Sequence, residues 1–175
     1  MEENHSSREG ECWYVFKGFA FGLNHRPIKL TERVDSVYVC VACEQLPASY
    51  TRLQCGHNMC DDCLGMAMDS SVLFGEDCAD AYGTCPADGV KILQSGLRTV
   101  HMPFDIVTSM RAHCFNVEHG CPYQATLQDV HEHFELYCRF HPLSCRYCRR
   151  QDILTKDIVT HLRSCRGGRS SGEKA

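Results

Sequence analysis

From Cys40 to Asp88 the chain sets out metal-binding side chains at short, regular intervals. The order is Cys40-x2-Cys43, eleven residues, Cys55-x-His57-x2-Cys60-x2-Cys63, and then Cys85-Pro86-Ala87-Asp88. Zinc takes four tetrahedral ligands, thiolate at ~2.3 Å and imidazole at ~2.0–2.1 Å. A two-residue gap forms a tight knuckle that aims both ligand atoms at one ion. The pairs 40/43, 60/63 and 85/88, with the Cys55-x-His57 pair, supply eight ligands, enough for two ions. Interleaving is the economical arrangement: Cys40, Cys43, Cys60 and Cys63 on one zinc, Cys55, His57, Cys85 and Asp88 on the other. Each ion then ties together segments that a small core could not hold. One structural zinc contributes ~10–16 kcal/mol of apparent binding free energy, which matches the whole net stability of an ordinary domain, ~5–15 kcal/mol.

Composition decides between metal and disulfide. Fourteen of 175 residues are cysteine, while 43% hydrophobic content with 9% aromatics excludes a disordered chain. No apolar run approaches the ~18 residues of a membrane span. The longest candidate, Trp13 to Leu23, is interrupted by Lys17 and preceded by Glu2, Glu3, Glu9 and Glu11, whereas a signal peptide starts basic. The expectation is therefore a reducing, cytoplasmic setting in which thiols bind metal rather than each other.

Two stretches further on look like one another. Cys114, Cys121, His133, Cys138 is followed by Cys145, Cys148, His161, Cys165, each ending in an apolar-patterned segment that delivers a histidine (Leu127 and Val130 before His133, Ile153 and Ile158 before His161). The period of about 29 residues implies stacked small modules rather than one core. His131 competes with His133, since a helix sets them about 200° apart and only one can face the ion.

The stretch Cys55-Gly56-His57-Asn58-Met59-Cys60-Asp61-Asp62-Cys63-Leu64 and the intervals around it resemble a RING finger. Most RING fingers end their ligand set on cysteine; here Asp88 stands in that place. The TNF-receptor-associated factors carry Cys-Pro-x-Asp there, and the two later Cys3His stretches resemble the zinc fingers that follow the RING in that family. A carboxylate oxygen is a legitimate zinc ligand, and the rival Cys78 is separated from Cys85 by six residues, too far for a knuckle. The family spacing also favours His133 over His131. The resemblance covers roughly residues 35 to 166. It implies small zinc-stabilised α+β modules, a cross-brace RING followed by two tandem zinc fingers in an elongated array, with about four Zn²⁺. The expected divisions are an N-terminal apolar arm (1–35), the RING (36–92), a linker with a short helix (93–112), finger 1 (113–140), finger 2 (141–166) and a disordered tail (167–175).

The same resemblance implies a ubiquitin ligase, or a ligase-like adaptor, in cytoplasmic signalling. A RING has no nucleophile of its own; it docks a ubiquitin-conjugating enzyme and restrains the loaded ubiquitin, so its contribution is positioning. The matching docking positions are Val41 and Ala42, Leu64 or Met66, and Pro86. Ala42 is smaller than the aliphatic residue usual in active members, and Gly89 stands where many carry a basic residue. A non-catalytic scaffold that binds signalling proteins is the alternative. RING-to-RING pairing, with Phe104 to Met110 near the contact, is the self-association route the resemblance offers. Family members continue into a coiled coil and a receptor-binding sandwich, and the ten residues after Cys165 contain no heptads.

Charge is uneven. Residues 139–169 carry a formal +6, and 1–138 a formal -10. Twelve thiolates and four Zn²⁺ would shift the formal net charge from -4 to about -8. Nucleic acid is not an expected partner of this acidic chain, and sequence-specific DNA reading least of all, because Leu154, Asp157 and Thr160 would occupy the base-reading positions of finger 2. Cys12 and Cys78 read as plain thiols. His5, His25, His101, His113, His119, His131 and His141 read as surface or packing residues. Val90 to Met102 reads as strand or loop, and Phe104 to Ala112 as a short helix.

Overall fold

The computed structural model describes residues 12–19, 22–69 and 81–165. Cys78, His5 and the tail from Gly167 lie outside them. The chain divides after Arg111 into two compact units, both mixtures of short helices and strands.

In the first unit, β1 (Cys12–Lys17) and β2 (Pro27–Leu30) pair antiparallel, with Cys12 opposite Leu30 and Val15 opposite Pro27. The short β3 (Leu46–Pro47) runs parallel to β1. The described part of the expected arm is thus a hairpin. Its physical reason lies in Phe16, Ile28, Leu30 and Leu46, which are all buried and draw the two strands and the loop after the first knuckle together. Phe19 meets Phe16 edge-on at 5.7 Å, and the Phe19 N–H donates to Asn24 Oδ1.

A second sheet begins with β4 (Ser49–Arg52) and β5 (Asn58–Cys60), which pair antiparallel. Directly after β5 comes α1 (Asp61–Asp69), whose first turn carries Asp61 and Asp62, where the helix dipole favours carboxylates. β6 (Ala81–Thr84) and β7 (Lys91–Leu93) form a further hairpin with an irregularity between Ala81 and Gly83. Gly83 is required there: a Cβ would sit 2.3 Å from the Ala67 carbonyl oxygen of α1. The chain then returns as β8 (Arg98–His101) to the free side of β4, giving the order β5-β4-β8. Leu53, Met59, Leu64 and Ile92 complete a small core with Cys40, Cys60, Cys63 and Cys85.

The helix expected over Phe104 to Ala112 is shorter. α2 spans Phe104–Ser109, and Met110 (φ -57°, ψ 134°) turns the chain into β9 (Arg111–His113). The competing interaction is visible: Thr31 donates its backbone N–H to the Arg111 carbonyl at 3.0 Å, which favours extended chain over another helical turn.

In the second unit, β10 (Gln124–Thr126) leads into α3 (Leu127–Glu132), capped by Thr126, whose Oγ1 accepts the Asp129 N–H. A π-helical turn, His133–Tyr137, follows. Then β11 (Pro142–Leu143) pairs with β12 (Ile153–Leu154), and α4 (Ile158–Ser164) ends the described chain. Among the described residues no helix is long and apolar enough to cross a membrane.

Candidate metal centres

Three turns of one design carry the leading sulfurs of three ligand pairs into place. In each, the first cysteine's N–H donates to the carbonyl five residues on, and its carbonyl accepts the N–H four residues on: Cys40 with Gln45 and Glu44, Cys85 with Val90 and Gly89, Cys145 with Arg150 and Arg149. The fourth residue after the cysteine is left-handed every time, Glu44 at φ 58°, Gly89 at 69° and Arg149 at 60°. The identical backbone explains how these three two-residue gaps converge two ligands on one point; the knuckle expected at Cys60 and Cys63 is not such a turn, because Cys60 ends β5 and Cys63 lies in the first turn of α1.

Four groups result: Cys40, Cys43, Cys60, Cys63; Cys55, His57, Cys85, Asp88; Cys114, Cys121, His133, Cys138; and Cys145, Cys148, His161, Cys165. Within each group one ligand atom per residue lies within 4.8 Å of the others. The first two groups alternate along the chain. A tetrahedron with zinc–sulfur bonds of ~2.3 Å has sulfur–sulfur edges of ~3.8 Å and sulfur–nitrogen edges of ~3.5 Å. The separations are 3.9 Å for Cys43–Cys60, 3.7 Å for Cys114–Cys138 and 3.8 Å for Cys145–Cys165. Sulfur to ring nitrogen is 3.5 Å for Cys55–His57, 3.4 Å for Cys121–His133 and 3.5 Å for Cys148–His161. These are tetrahedral edges, well beyond the ~2.05 Å of a disulfide. Each group could hold one zinc ion, so the described residues could hold four. Four protein ligands per ion leave no open position, the pattern of structural rather than catalytic zinc.

Asp88 divides its carboxylate between two tasks. Oδ1 accepts the Val90 N–H at 3.0 Å, and Oδ2 lies 3.0 Å from His57 Nδ1. The Val90 N–H, with smaller help from Cys85, Cys55 and His57, holds this carboxyl below its usual range. His57 offers Nδ1, whereas His133 and His161 offer Nε2. His131 does not enter the group. His133 stacks flat on Tyr123 at 4.0 Å, and burial, followed by His141, lowers its pKa and keeps the ring neutral as a metal ligand must be.

The thiols differ in readiness. Burial pushes Cys114 up to about 12 and raises Cys63. Burial also works against ionising Cys40, but the N–H groups of Cys60, Cys43 and Ala42 outweigh it and lower that thiol. Cys145 is drawn down to about 6, chiefly by the Cys148 N–H and then by His161.

Two residues matter here without having a motif. Lys17, on β1, pairs with Asp62 and sets its ammonium 3.9 Å from Cys60 Sγ, offsetting part of the charge that four thiolates bring. Asn116 is buried; its N–H donates to Cys114 Sγ at 3.4 Å and its amide Nδ2 to Cys138 Sγ at 3.2 Å. The only sequence signal for Asn116 is a small polar residue two places after a ligand.

The docking positions expected on the first unit are unequal. Ala42 and Pro86 are exposed and Val41 is half-buried. Met66 is 63% exposed, but Leu64 is buried in the zinc-side core, so of the alternative pair on α1 only Met66 presents surface. No protein-family model matches the chain.

Proposed function

We propose that the chain is a RING protein of the kind found in TNF-receptor-associated factors, acting as a ubiquitin ligase or ligase-like adaptor in cytoplasmic signalling. The observation that carries this reading is the alternation of the first two tetrads along residues 40–88, with Asp88 as the last ligand. Zinc, held by those side chains, would supply rigidity and no reaction step. The protein's own contribution is to hold the Cys40–Cys43 and Cys85–Asp88 turns at a fixed spacing beside α1. Val41, Ala42, Met66 and Pro86 then form the surface for a conjugating enzyme.

A second reading, a scaffold without transfer activity, is favoured by Ala42 and Gly89. Losing one aliphatic group from a small docking surface costs about 1–3 kcal/mol, enough to weaken an encounter that is already brief. Autoubiquitination with a panel of conjugating enzymes separates the two. Chain formation that Pro86→Ala or Met66→Ala abolishes supports the ligase. Silence across the panel, from protein shown by native mass spectrometry to be zinc-loaded, supports the scaffold.

A further inference from the structure

The three matching turns act as internal controls for what the fold needs at a zinc knuckle. Between and after the two ligands they carry Val41, Ala42, Glu44 and Gln45; Pro86, Ala87, Gly89 and Val90; and Arg146, Tyr147, Arg149 and Arg150. The same hydrogen bonds form with all three sets, so the backbone does not dictate those side chains. Only the third turn is loaded with three arginines around an aromatic ring. All four side chains are exposed, Tyr147 by 54%. Among the described residues none of the three arginines forms an ion pair. Arg149 also occupies a left-handed position (φ 60°) that glycine fills at Gly89. Glu44 holds the same position in the first turn (φ 58°), so the turn accepts non-glycine residues there and does not itself call for arginine.

Charge over the whole finger agrees. Residues 139–165 carry Arg139, Arg146, Arg149, Arg150, Lys156 and Arg163 against Asp152 and Asp157, a formal +4. A bound zinc with three thiolates lowers this by one. The helix of this finger lacks side chains to read duplex bases, but a knuckle tip is neither helix nor ribbon and does not fill a major groove. An exposed ring with exposed arginines before and after it in the turn suits unpaired bases, which stack on aromatic faces while arginines meet the phosphates. An acidic protein segment would satisfy the arginines and leave the ring without a matching face.

We propose that the Arg146-Tyr147-Cys148-Arg149-Arg150 tip of finger 2 binds single-stranded RNA without strong sequence preference. This role is independent of ubiquitin transfer and uses the second unit of the chain.

The test is fluorescence anisotropy of a labelled oligouridylate of about twelve nucleotides with the full zinc-loaded chain. Three phosphate contacts predict affinity falling about twentyfold between about 50 and about 200 mM salt. Tyr147→Ala should weaken binding by about five- to hundredfold and Tyr147→Phe should retain it. Arg149→Gly relieves the left-handed strain, so it should keep the zinc count while weakening RNA severalfold; it decides the matter if Tyr147→Ala disturbs the fold. Absence of binding at the lower salt overturns the proposal. So does an oligoglutamate that displaces the RNA at equal concentration while Tyr147→Ala has no effect, since that pattern marks a surface for acidic protein.

Discussion

Fingers 1 and 2 use the same donors, three thiolates and one imidazole, yet surround them differently. In finger 1 all three cysteines are buried, Phe134 and Phe140 pack against them, and Phe134 in turn meets Phe115 and His141 at ring-centroid distances of 5.1 Å and 4.5 Å. Asn116 donates to two of the sulfurs. In finger 2 Cys148 is exposed, and the core is Ile153 with Cys145 and Cys165, assisted by Ile158. The ligand spacing differs too, and the backbone absorbs the difference. Finger 1 has one more residue between histidine and last cysteine, accommodated by the π-helical turn in which the Cys138 N–H reaches the His133 carbonyl. Finger 2 runs a plain helix to Ser164. Identical ligands therefore do not imply equal dependence on the ion: finger 2 leans on zinc almost alone.

The strongest break of this comparison removes a ligand from each. His161→Ala should cost one ion by native mass spectrometry and leave residues 145–165 without amide protection, because the lost ~10–16 kcal/mol has no core behind it. His133→Ala should also cost one ion, but protection over α3 should fall without vanishing, since Leu127 and Val130 are 1% and 0% exposed. Equal and complete exchange in both variants would show that the packing of finger 1 adds nothing.

Next in size is the donor pair on Asn116. Asn116→Ala removes the side-chain N–H from Cys138, and loss of such a partner typically lowers metal affinity about 10- to 100-fold. Competition with a chromophoric chelator should show the drop in finger 1 alone, bringing it towards finger 2. A change under about twofold would mean the amide only fills space.

Acid sharpens the contrast further. With the knuckle formed, Cys145, drawn down to about 6 by the Cys148 N–H and His161, already favours its thiolate at neutral pH and yields little proton to zinc. Cys114, pushed up to about 12, yields one throughout that range. Affinity rises about tenfold per pH unit for each proton released. Raising the pH near neutrality should thus favour finger 1, where burial raises Cys114 and Cys121 and only Cys138 is lowered, over finger 2, and lowering it should reverse the gain. Zinc-competition titrations at several pH values, with the two fingers followed separately by NMR, read this directly; parallel slopes would contradict it.

How far the chain could be read in advance depended on what fixed each feature. Three of the four tetrads were legible because knuckle spacing is a local geometric demand, met by the same two hydrogen bonds at Cys40, Cys85 and Cys145, and the finger 1 tetrad, whose first two cysteines have six residues between them, from its likeness to the stretch that follows it. The helical segments that deliver His133, in the π-helical turn after α3, and His161, on α4, were legible from apolar spacing. The β1–β2 hairpin was not, because its aromatic residues give no period that separates a paired strand from an extended arm; burial of Phe16 against the following segment decides it. The end of α2 failed for a similar reason: the bond from Thr31 to Arg111 joins residues eighty apart in sequence. Lys17 reaches Cys60, and the Asn116 side chain reaches Cys138, only through the fold, so no spacing could announce those two contacts.

The smallest effect tests the backbone of the finger 2 knuckle. Arg149 holds φ 60° where the equivalent turn has Gly89 at 69°. A left-handed non-glycine residue costs about 1–2 kcal/mol, and the greater freedom of glycine in the unfolded chain returns about 0.4–1 kcal/mol of that. Arg149→Gly should therefore stabilise the finger by roughly 0.5–1 kcal/mol. Slower exchange of the Cys145 and Arg149 amides, whose hydrogen bonds close this turn at 2.8 Å each, is the measurement. Finger 2 would then stand slightly closer to finger 1. Faster exchange instead would mean that the arginine side chain supports the turn.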